Sequence, residues 1–343
     1  MRFRVLPALA LGLGLTTAAT AQVWSGASLQ GALTLQLPPG WRVELVGVGF
    51  RLPQDLAVDP PDGLWVLTQL DPMGSGASAL VRIPLAGPLP VEAKRLRPAS
   101  IPFSPDPARF RMGSLARHPG TGDLYVAERL GRHLYRVPPG GAPVLYARGL
   151  NQAAFWALAF DGDGRLVVLD FAGRSVVADP TLPAEREWFG DAERYEGPVL
   201  YRLAVDEPLP LPRNLEYAKP VFPPAALRRA GATLPRYRSV RALPGGDLLL
   251  VGPAGELHRL RPDAAIVPLA SVPGAHLVAL GAEGELYALD HYGGRIVRVG
   301  PDGATHPFVE GLTRPMALVA LADGSLVVAE DSGQILRLRP ESR

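Results

Sequence analysis

The sequence predicts an all-β, six-bladed β-propeller, and three observations carry that prediction. One phrase occurs six times: an apolar strand, a Gly-containing turn, a second apolar strand ending on a polar residue, and a third strand. Within each copy the apolar residues alternate or run continuously over 4 to 8 positions rich in Val and Leu, a strand pattern and not a helical one. Most neighbouring turns lie about 40 residues apart, the length of a four-stranded blade.

The copies follow in order as PQDLAVDPPDGLWVLTQ (53–69), GSLARHPGTGDLYVAERLGRHLYRV (113–137), FWALAFDGDGRLVVLDFAGRSVV (155–177), YRSVRALPGGDLLLVGPAGELHRL (237–260), HLVALGAEGELYALDHYGGRIVRV (276–299) and PMALVALADGSLVVAEDSGQILRL (315–338). Their first turns carry Asp62-Gly63, Gly122-Asp123, Asp163-Gly164, Gly246-Asp247, Glu283-Gly284 and Asp323-Gly324, residues suited to tight hairpins. These acids read as turn formers. Asp161-Gly-Asp163-Gly lacks the remaining ligands and closing Glu of a calcium loop.

The sixth copy ends after its third strand, so another segment must complete that blade. Residues 41–48, WRVELVGV, have strand composition and follow the turn Pro38-Pro39-Gly40, which makes them the expected closing strand. Such closure leaves no exposed sheet edge at the seam. Two connections exceed the repeat. Residues 70–112 hold a Gly/Ser loop and a Pro-rich stretch, and 179–236 read as an insertion with a strand at VLYRLAV, either a short helix with Pro-stiffened loops laid over one face of the ring or a bare spacer.

At the N-terminus Arg2 and Arg4 precede an apolar run from Val5 to Leu15 and the small-residue site Ala19-Thr20-Ala21. This predicts a signal peptide at 1–21, cut before Gln22, and a single domain over 22–343 that is secreted or periplasmic. No later stretch is apolar over the roughly 20 residues of a membrane helix. The chain has no cysteine, which excludes disulfides, thiolate metal sites and a cysteine nucleophile. Its formal net charge of +2 includes Arg2 and Arg4, and the arginines are scattered, so no nucleic-acid footprint is present. A monomer that meets a small-molecule ligand or a protein partner is expected.

Hairpin geometry locates a candidate site. The start of each first strand and the finish of each second strand lie at one end of the ring, opposite the acidic turns, and the first strand is innermost in propellers. Residues entering the first strands are Asp55, Arg111, Trp156, Arg238, His276 and Arg314. Residues ending the second strands are Gln69, Glu128, Asp170, Asp290, His291, Glu330 and Asp331. Charges of both signs around one funnel suit a polar ligand or acid–base chemistry. The expected roles are His276 as base with Asp290 as its orienting partner, Arg111 and Arg238 as clamps on a carboxylate or quinone oxygen, and Trp156 at the cofactor. The structural alternatives are that the acids bond turn backbone or nearby arginines, that His276 is a hydrogen-bonded structural histidine, and that Trp156 packs between blades. No HExxH, GxSxG, P-loop or dinucleotide fingerprint sits in a suitable context.

LQLPPGWRVELVGVGFRLPQDLAVDPPDGLWVL (35–67) and GLTRPMALVALADGSLVVAEDSGQILRL (311–338) resemble the first and last blades of the glucose/sorbosone dehydrogenase family, while YVAERLGRHLYRV and ALDHYGGRIVRV resemble NHL-type repeats. That resemblance implies an oxidoreductase acting on a sugar or aldehyde, with pyrroloquinoline quinone and calcium in the funnel and a histidine base in a phrase like H-x-G-x-x-L. Here the phrase reads Phe110-Arg111-Met112-Gly113-Ser114-Leu115, so the family's histidine position holds Phe110. The calcium loop expected after the second strand is not visible in Glu128-Arg129-Leu130-Gly131. Two alternatives stand beside this reading. One is a gluconolactonase-like metal-dependent hydrolase, whose Glu, Asn, Asn and Asp ligand pattern is absent here, Asp55 being the only acidic residue of the entry set. The other is a non-catalytic propeller that binds a ligand or a protein.

Overall fold

The computed structural model describes residues 19–22, 34–69, 78–100, 113–128, 133–149, 156–173, 197–207, 211–215, 221–222 and 234–341. Their strands form six sheets, each an antiparallel meander that starts at the centre and runs outward. Blade 1 comprises Arg51–Asp59, Gly63–Gln69, Ser78–Pro84 and Ala99–Ser100. Blade 2 follows as Gly113–Arg117, Leu124–Glu128, His133–Val137 and Val144–Arg148. Blade 4 is Ser239–Ala242, Leu248–Val251, Glu256–Leu260 and Ile266–Ser271, and blade 5 is Ala275–Leu280, Leu286–Asp290, Arg295–Val299 and Thr305–Glu310. The first strands touch their neighbours in an unbroken ring around the centre, as a propeller requires.

Blade 3 departs from the expected phrase. Its first two strands are Trp156–Phe160 and Leu166–Gly173, and its third is Gly197–Leu203, supplied by the segment read as an insertion; the stretch 174–177 lies outside the described residues. The chain then reaches back: Arg213–Asn214 pairs in parallel with the outer strand of blade 2, and Phe222 bridges Leu200 on blade 3. Apolarity marks VLYRLAV as a strand, yet only its pairing with Leu166–Gly173 places it as the third strand of this blade.

Blade 6 is Pro315–Ala320, Leu326–Glu330 and Ile335–Pro340, completed by Trp41–Val48 as expected. Pairing runs from Trp41 opposite Pro340 to Gly47 opposite Ile335. Over Leu45–Gly47 both faces of this closing strand are buried. Leu45 packs with Leu336 and Leu338 toward blade 5, while Val46 packs with Leu56 and Leu64 of blade 1. Thr34–Leu37 adds a further strand to blade 5 and pairs with Ala19–Gln22 on its outer side. The sequence did not indicate that addition.

One regularity pins the face that carries the first hairpins. Arg82, Arg136, Arg202, Arg259, Arg298 and Arg337 occupy one register on the third strands, opposite Trp65, Tyr125, Val167, Leu249, Tyr287 and Val327. Five of them reach an aspartate at their own hairpin: Arg82 to Asp59 at 2.6 Å, Arg136 to Asp123 at 2.5 Å, Arg202 to Asp161 at 3.7 Å, Arg259 to Asp247, and Arg337 to Asp323 at 2.5 Å. Asp123, Asp161 and Asp247 are buried, so these pairs also satisfy carboxylates that water cannot reach. The hairpin acids thus tie the first hairpin to the third strand as well as forming turns.

Because the closing strand is buried over Leu45–Gly47, charge there is costly. Val46 is 0% exposed, and Val46→Asp places an unpaired carboxylate between blades 6 and 1. We expect a loss of about 3 kcal/mol or more in urea denaturation, or no folded protein, whereas Val46→Ala should cost roughly 1–3 kcal/mol.

Candidate functional site at the central channel

The hairpin registers align the six first strands residue by residue. One level of the channel mouth is occupied by Gln54, Gly113, Trp156, Arg238, His276 and Met316. The next holds Asp55, Ser114, Ala157, Ser239, Leu277 and Ala317. Two levels further in are Ala57, Ala116, Ala159, Arg241, Ala279 and Val319. The channel therefore has polar levels above a level of small side chains broken by one arginine.

Asp55 joins three blades. Its Oδ2 accepts the Leu115 N–H at 2.7 Å and the Ser114 hydroxyl at 3.1 Å, and its Oδ1 accepts the Leu56 N–H at 2.9 Å. Ser114 Oγ in turn accepts the Leu158 N–H of blade 3 at 3.2 Å. Beside them, the Gly113 N–H donates to Gln54 Oε1 at 3.0 Å. Burial pushes the Asp55 carboxyl above the usual carboxylate range, a rise opposed by the Arg241 charge and by these donors.

Arg241 spans its own blade and both neighbours. Nε donates to Val278 O of blade 5 at 3.1 Å, and Nη1 donates to Leu158 O of blade 3 at 3.4 Å and to Val240 O at 3.3 Å. Nη2 has no hydrogen bond among the described residues. The side chain fits because alanine stands at four of the five equivalent positions and valine at the fifth. Two of its three nitrogens are thus held by carbonyls, which carry no formal charge to match its own.

At the mouth, a β-bulge re-aims His276. Ala275 lies opposite Asp290 and Leu277 opposite Leu289, leaving His276 as the extra residue, and Met316 is the corresponding extra residue of blade 6. The two bulges meet: His276 Nε2 donates to Met316 O at 3.2 Å, and His291 Nδ1 donates to the adjoining Pro315 O at 3.1 Å. The two rings stand edge to face with centroids 5.7 Å apart. His276 Nδ1 is buried and makes no hydrogen bond of good geometry among the described residues, although the Leu289 carbonyl is near enough to act on the ring. Burial pulls the His276 pKa down to about 4, with the His291 charge acting the same way and the Met316 carbonyl opposing it.

The remaining candidates are distributed around the same rim. Asp290 accepts the Gly293 N–H at 2.8 Å and pairs with Arg295 Nε at 2.9 Å, so its carboxylate is occupied by its own turn and by Arg295. Buried Glu330 accepts the Thr313 N–H at 2.7 Å and the Ser332 hydroxyl at 3.1 Å, and burial raises its pKa. Asp331 pairs with Arg314 at 3.1 Å. Asp170 is buried, and Arg238 is held within the structure at the His276 level. Phe110, Arg111 and residues 129–132 lie outside the described residues, as do the side chains of Trp156 and Glu128. Among the described residues no cluster of three or more histidine, aspartate or glutamate side chains can hold a metal ion. Sequence reasoning placed the cation on Arg111 and Arg238 and missed Arg241, although aligning the six hairpins exposes an arginine where other blades carry alanine or valine.

Comparison with known proteins gives the fold and nothing finer. No protein-family model matches the chain, and no curated protein matches it. Solved structures do. The PQQ domain of pyranose dehydrogenase from Coprinopsis cinerea, in its holo form, superposes with a TM-score of 0.57 at 11% identity over 89% of this chain and 97% of that one. The calcium structure of a Trichoderma reesei family AA12 carbohydrate-active enzyme gives 0.56 at 13% identity over 89% and 96%. A catalytically inactive virginiamycin B lyase variant from Staphylococcus aureus, bound to quinupristin, gives 0.54 at 11% identity over 87% and 99%. A putative gluconolactonase also matches. The chain is a six-bladed propeller of the shape shared by dehydrogenase-type, lactonase-type and lyase neighbours.

The depressed His276 pKa makes stability depend on pH. Between about 4 and the ordinary value of 6.5 the unfolded chain binds this proton and the folded chain does not. Stability from this group is therefore complete above pH 6.5 and lost as pH falls toward 4, by up to about 3 kcal/mol. In urea titrations His276→Gln should lose less stability than the wild type between pH 7 and pH 4. Equal losses would mean that His276 is not held neutral by the fold.

Proposed function

We propose that the central channel binds a small polar molecule bearing a carboxylate, and that Arg241 recognises its charge. One observation carries this reading: Arg241 is fixed through Nε and Nη1 by carbonyls of three blades while Nη2 has no hydrogen bond among the described residues. A guanidinium held in this way is ready to donate to a carboxylate without first losing rotamer freedom. Burial raises the Asp55 pKa, and the Arg241 charge works against that rise. The mouth above offers His276 and His291 as polar walls.

Pyrroloquinoline quinone is itself a polycarboxylate, so it belongs among the ligands to try. Among the described residues no group of three or more His, Asp or Glu side chains is placed to hold the calcium that accompanies it in the resemblance. No chemical step is therefore assigned through a quinone–calcium centre. A catalytic version of the reading, with His276 as base, is favoured by the ring being kept neutral at pH 7. It also draws on the lyase neighbour, a catalytically inactive variant in which a histidine is replaced by alanine. With a pKa of about 4, however, His276 is a weak base unless ligand binding changes its surroundings. Export through the leader at 1–21 and a monomeric state belong to the same proposal.

The test is calorimetric titration of the protein with gluconate and with pyrroloquinoline quinone, repeated on Arg241→Met and Arg241→Lys. Loss of a charged hydrogen bond of about 1.5–3 kcal/mol corresponds to a roughly 10- to 150-fold weaker affinity in Arg241→Met, with partial recovery in Arg241→Lys. If neither carboxylate binds, or Arg241→Met binds as the wild type does, the assignment is wrong.

A further inference from the structure

The five hairpin-to-third-strand ion pairs have one exception. In blade 5 the equivalent arginine, Arg298, is exposed and forms no ion pair among the described residues, although Glu285 stands where Asp123 and Asp247 stand in their blades. Glu285 instead turns its Oε2 to the Glu283 N–H at 3.1 Å. Arg298 lies opposite Tyr287 on one side and His306 on the other, which puts two cationic or protonatable side chains next to each other on one face of the blade.

That face borders a groove of about 900 Å³ along the hairpin side of blade 5. Its lining includes Arg298, His306, Glu283 and Glu285 together with the aromatic pair Trp41 and Phe308. The two rings stand edge to face with centroids 4.9 Å apart, and both side chains are only partly buried. Trp41 begins the closing strand of blade 6, so this wall exists only in the closed ring.

We infer that this groove is a second ligand site, separate from the channel, and that its ligand is a neutral carbohydrate. Three features of the lining select that chemistry. The volume lies in the range of small-ligand sites. Carboxylates and guanidinium groups line it together, so it offers acceptors and donors without a strong net charge to favour an ion. Partly exposed aromatic rings supply a flat apolar surface of the kind that the C–H face of a sugar ring covers. A polyol with one apolar face uses all three features; a simple anion or cation uses one and is repelled by another. The release of Arg298 from the hairpin pairing supplies a donor that the other five blades spend internally. The inference does not depend on the channel reading.

Calorimetric titration with cellotetraose and with maltotetraose tests it on the wild type, Trp41→Ala and Arg298→Ala. Binding of at least one tetrasaccharide is expected, weakened ten-fold or more in each variant. Trp41 helps close the ring, so its variant can lose stability; Arg298 is exposed and without an ion pair, so Arg298→Ala reports on the groove with the fold intact. The inference is overturned if neither sugar binds the wild type, or if Arg298→Ala binds as tightly as the wild type.

Discussion

Everything in this molecule depends on the antiparallel pairing of Trp41–Val48 with Ile335–Pro340. The chain has no cysteine, so no covalent link can hold its two ends together. The seam is instead made of backbone hydrogen bonds and of a strand whose alternate residues are buried in two different blades. Without it, blades 6 and 1 would each expose an apolar face and the six first strands would not enclose a channel. Both candidate ligand sites require the closed state: the channel because it is enclosed by the ring, the groove because Trp41 is the first residue of the closing strand.

The two ends of the ring are held by different chemistry. On the hairpin face, arginines of the third strands pair with aspartates of the first turns, a device repeated within blades. Around the channel and its mouth the bonds run between blades, from Gln54 and Asp55 to blade 2, from Ser114 to blade 3, and from His276 and His291 to blade 6. These contacts use neutral groups, or a carboxylate whose charge burial disfavours, so they resist salt screening better than exposed ion pairs do. The bulges at His276 and Met316 make the last of them possible by turning an imidazole and a carbonyl toward each other.

Particular residues show where the sequence was informative. The six hairpins, the strand period and the closing strand at 41–48 were all legible, because a sheet buried on both faces leaves a local trace in Val, Leu and Gly spacing. The third strand of blade 3 was not: VLYRLAV reads as a strand, but its place in the blade rests on pairing across a long connection. Asp55 and His276 were named from their positions, but their partners were not: Ser114, Leu115 and Met316 are 59, 60 and 40 residues away. Arg241 escaped notice because a single arginine inside a strand has no local signature; its meaning appears only when the strands are aligned around the ring. The addition of Thr34–Leu37 to blade 5 escaped for the same reason, its partner being Glu310.

By itself the sequence determined the blade count, the strand order within most blades and the way the ring closes. Those features follow from repeated local patterns, each of which fits only one kind of secondary structure. Tertiary structure alone decided which polar groups are occupied and which are available. Asp290 is engaged by Gly293 and Arg295, and Arg241 keeps Nη2 without a hydrogen bond among the described residues. Arg298 is left outside the pairing that its five counterparts make. Occupancy is a property of distances between residues far apart in the chain, and residue type alone does not encode those distances.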